Sequence, residues 1–138
     1  MKDQRTEHVD TLARHHSRLL RTPWYGYNEL RIIRGDANES STRTWVARQS
    51  GLHTLFTVTD FGRTVIPAFQ LTAEGEPRDD LHGVLEILLT SGITGWELWT
   101  WLTTPTGWLS GQTPENTAQT DPVRVERATR RLLGAYDL

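Results

Sequence analysis

The stretch SSTRTWVARQSGLHTLFTVTDFGRTVI, residues 40–66, decides the fold. Ser40 or Ser41 is a natural N-cap, because a short hydroxyl side chain accepts from the free N–H groups of a first helical turn. A helix over Thr42–Gln49 follows, carrying Arg43, Trp45, Val46 and Arg48, and Gly51 suits the position just past its end. Two apolar, β-branched runs come next, Leu55–Val58 and Thr64–Ile66. Asp60-Phe61-Gly62 lies between them as a turn signal, which predicts a hairpin. Upstream, Gly35-Asp36-Ala37-Asn38 is a turn, and Asn28 caps a short helix with Leu30, Ile32 and Ile33. Helix, tight turn, helix and hairpin follow each other in the order of a winged helix-turn-helix.

Working outward, residues 3–21 have helical periodicity through Val9, Leu12, Ala13, His16, Leu19 and Leu20. Thr22-Pro23 stops that helix, and Trp24-Tyr25-Gly26-Tyr27 reads as an aromatic turn. On the other side, polar residues 72–78, with Gly75 and Pro77, mark a boundary. Beyond it the chain reads as helical: a helix over Leu81–Leu89 ended by Gly92, and a Trp-dense helix over Gly95–Leu102. Thr113-Pro114 and Asp121-Pro122 both place a cap before a proline at the first helical position. The last helix, from Val123 to about Gly134, has a basic face of Arg124, Arg127, Arg130 and Arg131. The chain is therefore expected to be mainly α with a small β-hairpin. Its expected parts are an N-terminal helix (1–23, a candidate dimerisation element), a helix-turn-helix-like region with a hairpin wing (24–71) and a C-terminal helical domain (79–138).

Composition narrows the function. The chain has 138 residues and no Cys, which removes disulfides, thiolate metal sites and a cysteine nucleophile. Nothing near Met1 resembles a signal peptide and no apolar run is long enough for a membrane span, so a cytoplasmic protein is expected. The net charge of −2 divides into +3 over residues 1–50 and −5 over 51–138, which suggests a basic half that meets a polyanion. His8 and His15 share a helical face, but no carboxylate stands at matching ligand spacing, so no metal site is expected. No phosphate-binding glycine loop, nucleophile elbow or paired carboxylate stands out, so neither an enzyme nor a cofactor is expected.

Two surfaces remain. Ser41, Thr42, Arg43 and Arg48 on the short helix, with Arg63 on the hairpin, are candidate DNA contacts, since hydroxyls and guanidinium groups reach phosphates and guanine edges. The cluster Trp96, Trp99, Trp101 and Trp108 is too apolar for a single helix face, so at least one of the four is expected at an interface.

Ile66-Pro67-Ala68-Phe69-Gln70-Leu71, followed by Trp101-Leu102-x-Thr104-Pro105-x-x-x-Leu109-x-Gly111-x-Thr113-Pro114, is similar to the MbcA/ParS/Xre antitoxin family over about residues 41–133. The resemblance implies an antitoxin whose C-terminal helices, a toxin-binding domain, cover the NAD cleft of a RES-domain toxin. That toxin would consume NAD or transfer ADP-ribose, and the antitoxin would have no catalytic residues of its own. It also implies that Pro67, Phe69, Gln70, Trp101, Leu102, Pro105, Leu109, Gly111 and Pro114 are structural, and that Arg127, Arg130, Arg131 and Tyr136 touch the toxin. Glu115-Asn116-Thr117-Ala118 departs from the leucine-rich continuation of the family, which predicts looser packing there.

The first reading is thus an antitoxin that binds a RES-domain toxin and represses its own operon, as a homodimer or a hetero-oligomer with the toxin. The alternative is a stand-alone winged helix-turn-helix regulator or excisionase-like factor. Both assign DNA contact to the same short helix.

Overall fold

A computed structural model describes residues 4–136 of the chain, and the side chains of residues 11–134. The chain is mainly helical with one small antiparallel sheet of three strands. Its elements run α1 (Gln4–Leu19), β1 (Trp24–Tyr25), α2 (Tyr27–Arg34), α3 (Glu39–Gly51), β2 (Val58–Asp60) and β3 (Arg63–Pro67). They continue with α4 (His82–Thr90), α5 (Gly95–Thr103), α6 (Pro114–Thr117) and α7 (Pro122–Tyr136). Among the described residues, no helix is long and apolar enough to cross a membrane.

The hairpin forms where its turn residues predict. Asp60 pairs with Arg63 across a two-residue turn, in which Phe61 (φ 47°) and Gly62 (φ 80°) are both left-handed. That combination twists the two strands in the direction their own chirality favours. The first apolar run, however, enters the ladder only at Val58. The backbone N–H and C=O of Phe56 are bonded instead to the Gln70 side chain, which accepts at 3.0 Å and donates at 2.8 Å. A buried amide thus stands in for a neighbouring strand. Trp24-Tyr25, expected as a turn, is a strand: it pairs with Pro67 and Ile66 and places β3 in the middle of the order β1-β3-β2.

The helix boundaries also move. Asn28 lies inside the first turn of α2, whose N-cap is Gly26, and its side chain accepts from Arg31. Asn38 rather than a serine caps α3, taking the Ser41 N–H at 2.8 Å, and so α3 begins earlier than its serines suggest. Gly51 is still helical, and the left-handed residue after the helix is His53 (φ 61°). Further on, the two proline devices hold. The Thr113 hydroxyl accepts from Asn116 N, and the Asp121 carboxylate accepts from Arg124 N.

Successive residues of a strand face opposite ways, and β3 uses both faces. Val65 enters the larger core with Phe56, Leu85, Leu98, Trp99 and Leu102, while Ile66 enters a smaller one with Leu30, Val46, Leu55 and Leu71. The larger core therefore draws on the hairpin and on the C-terminal helices together.

Residues 72–78 are folded tightly. Thr72 and Glu76 are hydrogen-bonded, and Gly75 (φ 79°) is buried where a Cβ would lie 2.6 Å from Arg34 Cγ. Arg78 ends the segment with all five of its N–H groups used. It donates twice to the Asp80 carboxylate, once to the Phe69 carbonyl, and to both the Glu115 carboxylate and the Glu115 carbonyl, all within 3.0 Å. Burial opposes its charge, but the Asp80 and Glu115 bonds outweigh burial and raise its pKa above the usual guanidinium value. The expected loosening at Glu115-Ala118 does not occur. Glu115 takes the Arg78 ion pair at 2.8 Å, while Thr117 and Ala118 are buried.

Replacing Arg78 by Met keeps the stem and leaves two carboxylates and two carbonyls without their donor. We expect a loss of about 2–4 kcal/mol in urea unfolding followed by tryptophan fluorescence. Arg78→Lys should recover only part of it, since an ammonium has three donors rather than a planar fork. A loss under about 1 kcal/mol for Arg78→Met would contradict this role.

Candidate nucleic-acid interface

Each residue of an α-helix advances about 100° around the axis, and α3 separates cleanly on that count. Thr42 and Val46 face inward and are buried, with Trp45, Gln49 and Ser50 half-buried beside them. Ser40, Thr44, Ala47 and Gly51 share the outward side and are exposed. Arg43 lies on one flank of that strip, and Ser41 and Arg48 lie on the other. A centre of small side chains lets the helix backbone come close to another surface, and the flanking guanidinium groups supply positive charge.

The Arg43 flank adjoins the hairpin. Its guanidinium lies 4.5 Å from the Tyr27 ring and pairs with Glu39 at 3.1 Å. The Tyr27 hydroxyl donates to Thr64 Oγ1 at 3.3 Å. Next along β3, Arg63 lies over Trp24 at 4.9 Å and is ion-paired with Asp60 at 2.7 Å. Arg43, Tyr27 and Thr64 therefore form a continuous ribbon from α3 onto the sheet, whereas Arg63, the neighbour of Thr64 in the strand, stands on the opposite face of the sheet against Trp24. Glu39 puts a carboxylate in the first turn of α3, so the arginines, not the N–H groups of the helix end, carry the positive charge of this face.

The other sequence-predicted contacts are placed differently. Thr42 is fully buried and its hydroxyl donates to Asp36 Oδ2 at 2.8 Å, so it is a packing residue and not a surface contact. That bond, with burial opposing it and Arg34 assisting, holds the Asp36 carboxyl below its ordinary pKa. Ser41 is exposed, but its hydroxyl is turned to the Asn38 cap at 3.0 Å. Arg63 is held across the strand pair by Asp60 and lies over the Trp24 ring, and the residue at the tip is Phe61.

Sequence reasoning missed the group that orients α3. Arg34 stacks on Trp45 at 3.5 Å, pairs with Asp36 at 3.1 Å and Glu76 at 2.8 Å, and donates to the Gly75 carbonyl at 3.0 Å. One side chain thus joins α2, the α2–α3 turn, α3 and the segment 72–78. Its local signal, Arg34-Gly35-Asp36, shows a turn but not the partner forty residues away. At the far end, His53 Nδ1 lies 3.0 Å from Glu86, which ties the exit of α3 to α4.

The C-terminal candidates form a second surface. Arg127, Arg130 and Arg131 are exposed along one side of α7 and make no ion pair among the described residues. Arg124 donates to Ser110 Oγ at 2.8 Å. Tyr136 closes α7, and its side chain lies outside the described residues. Of the motif residues, Pro67, Gln70, Leu102, Leu109 and Pro114 are buried, and Phe69 packs on Phe56 with ring centres 6.0 Å apart. Trp101 donates to Thr129 at 3.2 Å. Pro105 and Gly111 are exposed in the loop before α6, where Gly111 (φ 81°) makes the return and donates to the Thr106 carbonyl.

Within the tryptophan cluster, Trp99 is fully buried, Trp96 is stacked between His16 and Trp99, and Trp108 is the exposed member at 42%. His15 meets Thr100 at 2.6 Å, so the end of α1 is docked on α5. An open groove of about 1070 Å³ runs beside this contact, past Leu12, Trp96 and Leu133. Burial on Trp96, then the neighbouring His15, lowers the His16 pKa. The side chain of His8 lies outside the described residues, and among the described residues no three His, Asp or Glu side chains gather as a metal site would require.

No protein-family model and no curated protein matches the chain. Among solved structures the chain is similar to Rv2175c, whose structure was determined by NMR, with a TM-score of 0.62 and 27% sequence identity. The match covers 80% of this chain and 81% of that one.

Proposed function

We propose that the chain is a sequence-specific DNA-binding protein of the winged helix-turn-helix kind, with α3 as the recognition helix and the β2–β3 hairpin as the wing. One observation carries the reading: the small-residue, arginine-flanked face of α3 continues through Tyr27 and Thr64 onto the hairpin. The order of elements supports it as well. A run of helix, strand, two helices and a hairpin, with the first strand paired to the last, is the order this reading calls for. In this reading Ser40, Thr44 and Ala47 lie nearest the base edges, and Arg43 and Arg48 meet phosphates or guanines on either side. Arg34 and the Thr42–Asp36 pair hold α3 at its angle. One short helix reads few base pairs, so two copies on adjacent half-sites supply specificity. The work is that of a cytoplasmic regulator.

Selection from a random-sequence duplex library, followed by anisotropy titration across salt concentrations, tests this. The chain should enrich one sequence and hold it at physiological salt. Arg48→Ala should weaken binding by about tenfold and lower the salt slope by about one charge. Thr44→Glu should abolish binding with folding unchanged. No enrichment, or equal affinity for these variants, would overturn the proposal.

A second reading is favoured by the arginine side of α7, for which the fold has no use. In the antitoxin reading this face docks on a RES-domain toxin, with guanidinium groups paired to carboxylates at its NAD cleft, and the DNA-binding half represses the shared operon. Coexpression with a RES-domain toxin from a neighbouring reading frame should then give a complex and restore growth. The Arg130→Glu, Arg131→Glu double variant should lose that protection, and full protection by it would sink the reading.

A further inference from the structure

Phe61 combines two features that the fold does not explain. Its side chain is as exposed as in an extended peptide, at 101%, so the ring contributes no packing. Its backbone is left-handed, at φ 47°, in a turn position where Asn, Asp or Gly sits without strain. A local choice that costs stability and returns no contact within the molecule points to a contact outside it. The surroundings indicate which kind. Phe61 is at the tip of the hairpin, one turn residue before Arg63. Arg63 is held behind it by two bonds to the Asp60 carboxylate, at 3.1 and 2.7 Å, and by the Trp24 ring. That pairing neutralises Asp60, which is nearly buried, while the Arg63 side chain as a whole stays more than half exposed. The wing therefore ends in an apolar ring with an ion-paired guanidinium at its shoulder, three residues before Thr64, where the ribbon from α3 reaches the hairpin.

We infer that Phe61 is a DNA-contacting wedge: its ring enters the minor groove beside the α3 site and partly unstacks a base step, while Arg63 meets the adjoining phosphate. Apolar side chains inserted in this way kink a duplex, and the bend brings more of it against the protein. The inference rests on the DNA-binding reading and adds to it the wing residue that makes the contact and the deformation it causes. Specificity at the wing then comes from how easily a step opens rather than from hydrogen bonds, which favours pyrimidine–purine steps there.

The test uses the full chain and the duplex selected by it, with a fluorescent base analogue placed in turn at each flanking position. Wild type should brighten the analogue at one step only and bend the duplex in a permutation assay. Phe61→Asn should raise the melting temperature by a few degrees, because Asn-Gly suits this turn. The same change should weaken binding by about tenfold and remove both the brightening and the bend. Phe61→Leu, which keeps an apolar tip, should retain most of the bend. Unchanged affinity and bending in Phe61→Asn would overturn the wedge and leave the α3 reading standing. Failure of the wild-type chain to select any duplex would overturn both.

Discussion

Strand β3 is buried on both faces, and the rest of the molecule is arranged around that constraint. Val65 and Ile66 are adjacent, fully buried and directed into different cores. A register slip of one residue would exchange them, so the pairing with β1 and β2 is fixed by packing on both sides at once. The same strand presents Thr64 to Tyr27 of the α3 ribbon and Arg63 to Trp24 on the opposite face. Register, core and candidate interface are thus set by the same five residues, Arg63–Pro67.

Polar side chains complete what this short sheet cannot. Three strands of two, three and five residues leave much backbone unpaired, and the Gln70 amide serves Phe56 as a strand would. Arg34 and Arg78 then bracket the segment 72–78, the first binding it to α2 and α3, the second to Asp80 just before α4 and to α6. Both guanidinium groups are nearly buried with their partners in place, which is the condition under which a charged group helps to specify one arrangement. These pins hold α3 against the C-terminal half and leave its outer strip clear.

Much of this was legible locally. The hairpin turn, the helix over residues 42–49, the proline-led starts of α6 and α7, and the arginine side of α7 each rest on signals within a few residues. What was not legible is non-local. Trp24-Tyr25 becomes a strand because the edge of β3 is open to it, and Leu55-Phe56 leaves the ladder because Gln70 reaches its backbone. Asn38 rather than a serine caps α3 because the turn before it is drawn tight by Asp36, which holds Thr42 inside. In the candidate site, exposure reassigns the roles: Thr42 turns inward, Arg63 is held by Asp60, and Phe61, which composition alone would place in a core, stands in the open. A −2 net charge conceals the relevant electrostatics, since the cations that matter stand along the two sides of α3, on the hairpin and along α7.

The central claim is that α3 and the hairpin form one DNA-binding surface. Backbone hydrogen exchange of the full chain, measured with and without its selected duplex, tests it most directly. A shared DNA-binding surface slows exchange over residues 39–52 and 58–67 and leaves residues 122–134 unchanged. Protection confined to residues 122–134, or none at all, would contradict it.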